Sequence, residues 1–213
     1  MDKEQRLELL RCIDRYYATA ADQTFTAKLN ERNKITAAKI ERLIAGEPTP
    51  WNNLVQDVKA SWPNVTDLAF RQFPSYMLTI GEPADSIGNE VYSKRQFSLC
   101  VSLLGNFYTL FFEEQYYFQR MKDHPDDYDP SYRFYFRELL GPENKKLEKD
   151  FHKISRLCQQ HFPDHQYIRH TWSMLQSVPD LLTDQGESPL QDRTVFACLF
   201  DDQWITSPYK VLN

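Results

Sequence analysis

FSLCVSLLGNFYTLFFEEQYYF, residues 97–118, is the densest run of large apolar and aromatic side chains in the chain. It could be a membrane span, a binding surface or a piece of core. A spanning helix needs roughly 18 or more apolar residues in succession without charge. The uncharged part, 97–112, is shorter, contains Ser98, Ser102, Asn106 and Thr109, and is broken by Gly105. No membrane span is expected. Gly-Asn instead suits the two-residue loop of a β-hairpin, because Gly supplies the positive φ that a type II′ turn requires. A turn at Gly105 and Asn106 sets Val101 against Leu110 and Leu99 against Phe112. One face then carries Phe97, Leu99, Val101, Leu103, Tyr108, Leu110 and Phe112. The other mixes Ser98, Cys100 and Ser102 with Phe107, Thr109 and Phe111. Burying a large side chain stabilises by about 1.5–3 kcal/mol, against about 0.2–1 for a cross-strand pair, so burial sets the register. The apolar face is expected to be core.

Outward from the hairpin, the N-terminal residues 1–62 read as helical. Over 3–22, Leu7, Leu10, Ile13 and Tyr17 recur at three or four residues. A second helix over 26–45 carries Ala37, Ile40 and Ile44 on one face, and Gly46 with Pro48 stops it. Thr49 and Pro50 form an N-cap and first position for a third, on which Leu54, Val58 and Trp62 align. Beyond residue 65 the period changes to that of strands, with Tyr76 to Ile80 as one. A long helix returns over 142–162, where Leu147, Phe151, Ile154, Cys158 and Phe162 make an apolar stripe opposite Lys145, Lys149, Lys153 and Arg156. Segments 165–172 and 194–200 read as closing strands, with a loop at 185–192. The fold expected is therefore a single α+β domain: N-terminal helices, a central antiparallel sheet and one long helix packed on it.

Composition narrows the partners. The net charge of −5 disfavours a phosphate-tracking surface, so nucleic acid is not expected. Cys12, Cys100, Cys158 and Cys198 are scattered among apolar neighbours, without metal or redox spacing. The charged start MDKEQRLELL lacks the pattern of a secretory signal, and a cytoplasmic location is the expectation. With 6 glycines in all, and none in a phosphate-loop or dinucleotide motif, nucleotide cradling is improbable.

Several clusters could carry chemistry. His161, His165 and His170 with Asp164 offer metal-ligand types, but Pro163 breaks the helix that a four-residue spacing would need. The stretch DHPDDYDP, 123–130, concentrates carboxylates without the central Gly and final Glu of a calcium loop. Glu113 with Glu114 could act as paired carboxylates in one cleft. YRFYF, 132–136, alternates as a further strand, leaving Arg133, Tyr135 and Arg137 on one side. Tyr and Arg are enriched in protein interfaces because they combine contact area with a polar handle.

These features lead to a non-enzymatic protein that binds another protein, either as an immunity-type neutraliser of a toxin or as an adaptor or chaperone. Its partner would be basic or phosphate-directed, met through Glu113, Glu114, Asp126, Asp127, Tyr128, Asp129, Arg133, Tyr135 and Arg137. No cofactor and no metal are expected. The alternatives are a metal-dependent hydrolase built on the Asp-rich loop and a structural subunit of a larger assembly.

Overall fold

The computed structural model describes residues 2–19, 24–83, 85–88, 91–119, 132–170, 174, 178, 181, 194–201 and 210–211, with 117–119, 132–139 and 210–211 as backbone. The molecule is α+β, as expected. Helix α1 spans Lys3–Tyr16, and Asp2 caps it by accepting from the Gln5 N–H at 2.9 Å. Its buried face is Leu9, Ile13 and Tyr16, whereas Leu7 and Leu10 are 43% and 51% exposed. Ile13 and Tyr17 of the expected stripe are buried, while contact with the sheet replaces Leu7 and Leu10 by Leu9 and Tyr16. The helix also stops earlier than expected, because Tyr17 turns into extended backbone and donates its hydroxyl to the Cys198 carbonyl at 2.6 Å.

Helix α2, Phe25–Ile44, ends where Gly46 adopts a φ of 67°, a left-handed conformation that glycine reaches without strain. Helix α3, Pro50–Ser61, begins as its sequence dictates, with the Thr49 hydroxyl accepting from the Asn52 N–H. On α2 the buried residues are Arg32 and Lys39, while Ile44 of the expected apolar face is 73% exposed.

The sheet is built from β1 (Val65–Asp67), β2 (Ser75–Gly81), β3 (Asp85–Gly88), β4 (Val91–Ser102), β5 (Phe107–Gln119), β6 (Tyr132–Leu140), β7 (Gln166–Tyr167) and β8 (Lys210–Val211). Its main path runs β1-β2-β4-β5-β6-β8, with β3 added to β4 and β7 to β5. The central strands are antiparallel, as expected. The short β7 and β8 join in parallel, so the sheet as a whole is mixed.

The hairpin of β4 and β5 turns through 103–106, and its register pairs Leu99 with Leu110 and Phe97 with Phe112. The expected register is corrected by two residues, which leaves every side chain on its expected face. Gly105 is not among the glycines with positive φ. Its small size serves close approach instead: a Cβ there would lie 2.5 Å from the Phe107 ring and 3.0 Å from the Cys12 sulfur.

Both faces of the sheet are covered. Leu78, Ile80, Phe97, Leu99, Val101, Tyr108 and Leu110 form one core with Trp51, Leu54, Val55 and Val58 of α3. Helix α4, Glu148–His161, adds Phe151, Ile154 and Cys158 to it, so the long helix packs on the predicted face. It starts later than residue 142 because the Asn144 side chain accepts from the Lys146 N–H, a local turn that competes with the first helical hydrogen bonds. The opposite face brings Met77, Cys100, Phe107 and Phe111 against Leu9, Ile13 and Tyr16. Completing that layer is helix α5, Val195–Leu199, where a strand was expected. A short, continuous apolar run fits a buried helix as well as a buried strand. Here the Thr194 hydroxyl caps the helix by accepting from the Ala197 N–H at 3.1 Å. The expected loop at 185–192 lies outside the described residues.

Candidate functional site

Beyond Phe97 and Phe112 the sheet changes character. On the face that holds Cys100 and Phe111 nearer the turn, the next positions are Thr79, Ser98, Gln96, Glu113 and Gln115. Alternation along the strands puts these polar side chains together, and all are buried. Glu113, 1% exposed, is their centre. Its carboxylate accepts from the Gln96 amide, from the Ser98 hydroxyl at 3.1 Å and from the Gln115 amide at 2.8 Å. A buried carboxylate is tolerated when donors replace its lost hydration, and two amides and a hydroxyl do so here.

Glu114 projects to the other face. There Arg95 stands directly across the strand pair and clasps one carboxylate oxygen with Nε at 2.7 Å and Nη2 at 2.6 Å. The Tyr116 hydroxyl donates to the same oxygen at 2.8 Å. The hydrogen bond to Glu114 raises the pKa of Arg95, and the same carboxylate, together with burial, raises that of Tyr116. Both groups therefore remain fixed donors. The Arg95 side chain is exposed while Glu114 beneath it is largely covered. The result is a guanidinium held in one orientation at the surface by a carboxylate and a phenol.

The two neighbouring carboxylates thus face opposite sides of the sheet, and the paired-carboxylate arrangement is corrected: adjacent residues of a strand alternate. Of the other residues singled out from sequence, Asp126, Asp127, Tyr128 and Asp129 lie outside the described residues, in the 120–131 segment that joins β5 to β6. Arg133 and Arg137 are placed by backbone register opposite Phe118 and Gln115. The register shifts where Tyr116 and Tyr117 pair with Phe136 and Phe134, a bulge that passes over Tyr135.

The described histidines do not form one cluster. His161 Nε2 lies 2.7 Å from Asp57 Oδ2 and pins α4 to α3, His165 packs against Phe162, and His170 stacks on Phe111 at 4.3 Å. Among the described residues no group of three metal-ligating side chains occurs. The thiols of Cys12 and Cys158 are pushed up by burial to about 11 and about 12, and Cys100 rises well above its usual value for the same reason. On α4, Lys153 lies over the Trp62 ring at 4.4 Å. No helix among the described residues is long and apolar enough to cross a membrane.

The sequence reading overlooked Arg95, Gln96, Gln115 and Tyr116. The signal was present: pairing Phe97 with Glu114, as the expected register did, sets an apolar ring against a charge, while the observed register sets Arg95 against Glu114. Comparison of the chain with protein-family models, with curated proteins and with solved structures found no match.

Proposed function

We propose that this protein acts by binding another protein, as a neutraliser of a toxic enzyme or as an adaptor. Its contact surface is the strand end that carries Arg95, Glu114 and Tyr116. The single observation behind this reading is the orientation of Arg95. An exposed ion pair contributes only about 0.2–1 kcal/mol to folding, so stability alone is a weak reason to hold a guanidinium on two further groups. Arg and Tyr are the side chains that most often dominate binding energy when they sit in a rigid, partly desolvated patch. Preorganisation also lowers the entropy lost on binding. The net charge of −5 favours a basic partner.

The product of the adjacent reading frame is the first partner to test, by titration calorimetry with purified proteins. Arg95→Ala combined with Tyr116→Ala is expected to weaken binding by at least about tenfold, the threshold of a strong interface residue. Undiminished affinity in that double variant would remove the surface assignment. Tight uptake of zinc, calcium or manganese, lost in Asp126→Ala with Asp127→Ala, would favour a metal-dependent hydrolase instead.

A further inference from the structure

A groove of ≈ 380 Å³ opens on the sheet where β1, β2 and β4 lie side by side. Gly81 sits within it, and the side chain it lacks is what leaves the space: a Cβ there would lie 2.7 Å from the Gln96 Cβ. Gln96 pairs with Gly81 on one side of β2, and Thr66 pairs with Thr79 on the other. Alternation along the strands puts Thr66, Thr79, Lys94 and Gln96 on one face, opposite to that of Arg95, and all four line the groove. Glu82 lines it too, but its N–H continues the strand pairing by donating to the Arg95 carbonyl at 3.1 Å, so alternation sets its side chain with Arg95. Lys94 is thus the charge on the groove's own face.

Three polar groups there have capacity that no described residue uses. Thr79 is only 8% exposed, yet its hydroxyl makes no hydrogen bond among the described residues. Gln96, 7% exposed, donates its amide N–H to Glu113, which fixes the amide and leaves its carbonyl oxygen without a described donor. The Lys94 ammonium has neither an ion pair nor a hydrogen bond among the described residues. A few fixed polar groups in a preformed hollow are what orient a small ligand.

We infer that the groove binds a sugar acid of one negative charge, its carboxylate on Lys94 and its hydroxyls on Thr79 and Gln96. The volume falls within the roughly 300–1,000 Å³ of ordinary ligand pockets. An ammonium offers donors only and calls for an anion, whereas an amide carbonyl accepts only and calls for a donor. A ligand carrying both a carboxylate and hydroxyls meets the two demands together. The threonine hydroxyl donates or accepts as the ligand requires. Behind Gln96 the Glu113 carboxylate repels a second negative charge, which favours a monoanion over the phosphate dianion.

The test is titration of the full chain with D-glucuronate and, separately, with D-glucose and with inorganic phosphate, followed by amide NMR shifts. Glucuronate is expected to move the Thr79, Gly81 and Gln96 signals saturably, with an affinity at least tenfold above that of glucose. Lys94→Met keeps the stem and removes the charge, so it should bring glucuronate down to the affinity of glucose with the melting temperature unchanged. Thr79→Val keeps the shape and removes the hydroxyl, and should weaken both sugars. Thr66→Trp fills the groove from an exposed position and should abolish the shifts. Shifts that do not saturate, glucuronate affinity undiminished in Lys94→Met or Thr66→Trp, or glucose or phosphate bound as tightly as glucuronate would each overturn the assignment.

Discussion

Glu113 and Thr109 lie on the same sheet face and show how a polar side chain is accommodated in two ways. Glu113 accepts from Gln96, Ser98 and Gln115, each of which would be left buried and unserved without it. Glu113→Ala is therefore expected to cost about 2–4 kcal/mol, since an unserved buried donor costs about 1–3 kcal/mol and the neighbours recover part of the loss. The Thr109 hydroxyl is fully buried and has no hydrogen-bond partner among the described residues. Thr109→Val keeps the shape and removes that group, so it should be neutral or stabilising by up to about 1 kcal/mol. Urea unfolding of the two variants checks both, and opposite signs are the expected result. Sequence marks both residues as strand members; which polar atom finds a donor depends on neighbours brought from other strands.

Among the elements, the hairpin was legible in kind, position and facing because alternation of large and small side chains is written locally. Its pairing was not, since displacements by two residues preserve every face and differ only in cross-strand partners. Phe97 against Phe112 and Arg95 against Glu114 decide between them. The turn follows from the same displacement: with 103–106 as the loop, Leu104 folds inward and Cys12 donates its thiol to the Leu104 carbonyl at 3.1 Å. Gly105→Ala would drive a methyl into the Phe107 ring, and we expect a loss of about 1–3 kcal/mol by overpacking. A variant as stable as the parent in thermal unfolding would show that the Phe107 ring yields freely. Helix α5 was misread as a strand for a related reason. The run VFACLF is apolar throughout, and Thr194 is a cap only if the chain turns helical after it.

In the molecule as a whole, Lys39 joins two layers of the fold. On α2 it is buried, and its three donors close on carbonyls of the 71–75 segment. That segment leads into β2, so the ammonium locks the N-terminal helices to the sheet. Lys39→Met keeps the apolar stem but strands the carbonyls. The expected loss is about 2–4 kcal/mol, or a melting point lower by several degrees for a chain of this size. Calorimetric unfolding would show it as one cooperative transition moved downward; an unchanged midpoint would mean that the helices are held chiefly by their apolar contacts.

By itself the sequence determined the α+β class, the caps of α3 and the stop of α2, the two faces of the hairpin and the face on which α4 packs. Each of these rests on periodicity or on contacts a few residues apart. Only the tertiary structure decided which positions of α1 are buried, the displacement of the hairpin, the helical state of 195–199 and the separation of Glu113 from Glu114 into a buried node and a surface clasp. These are choices among locally equivalent solutions. The free energy that separates them comes from partners up to 181 residues apart, as in Tyr17 with Cys198.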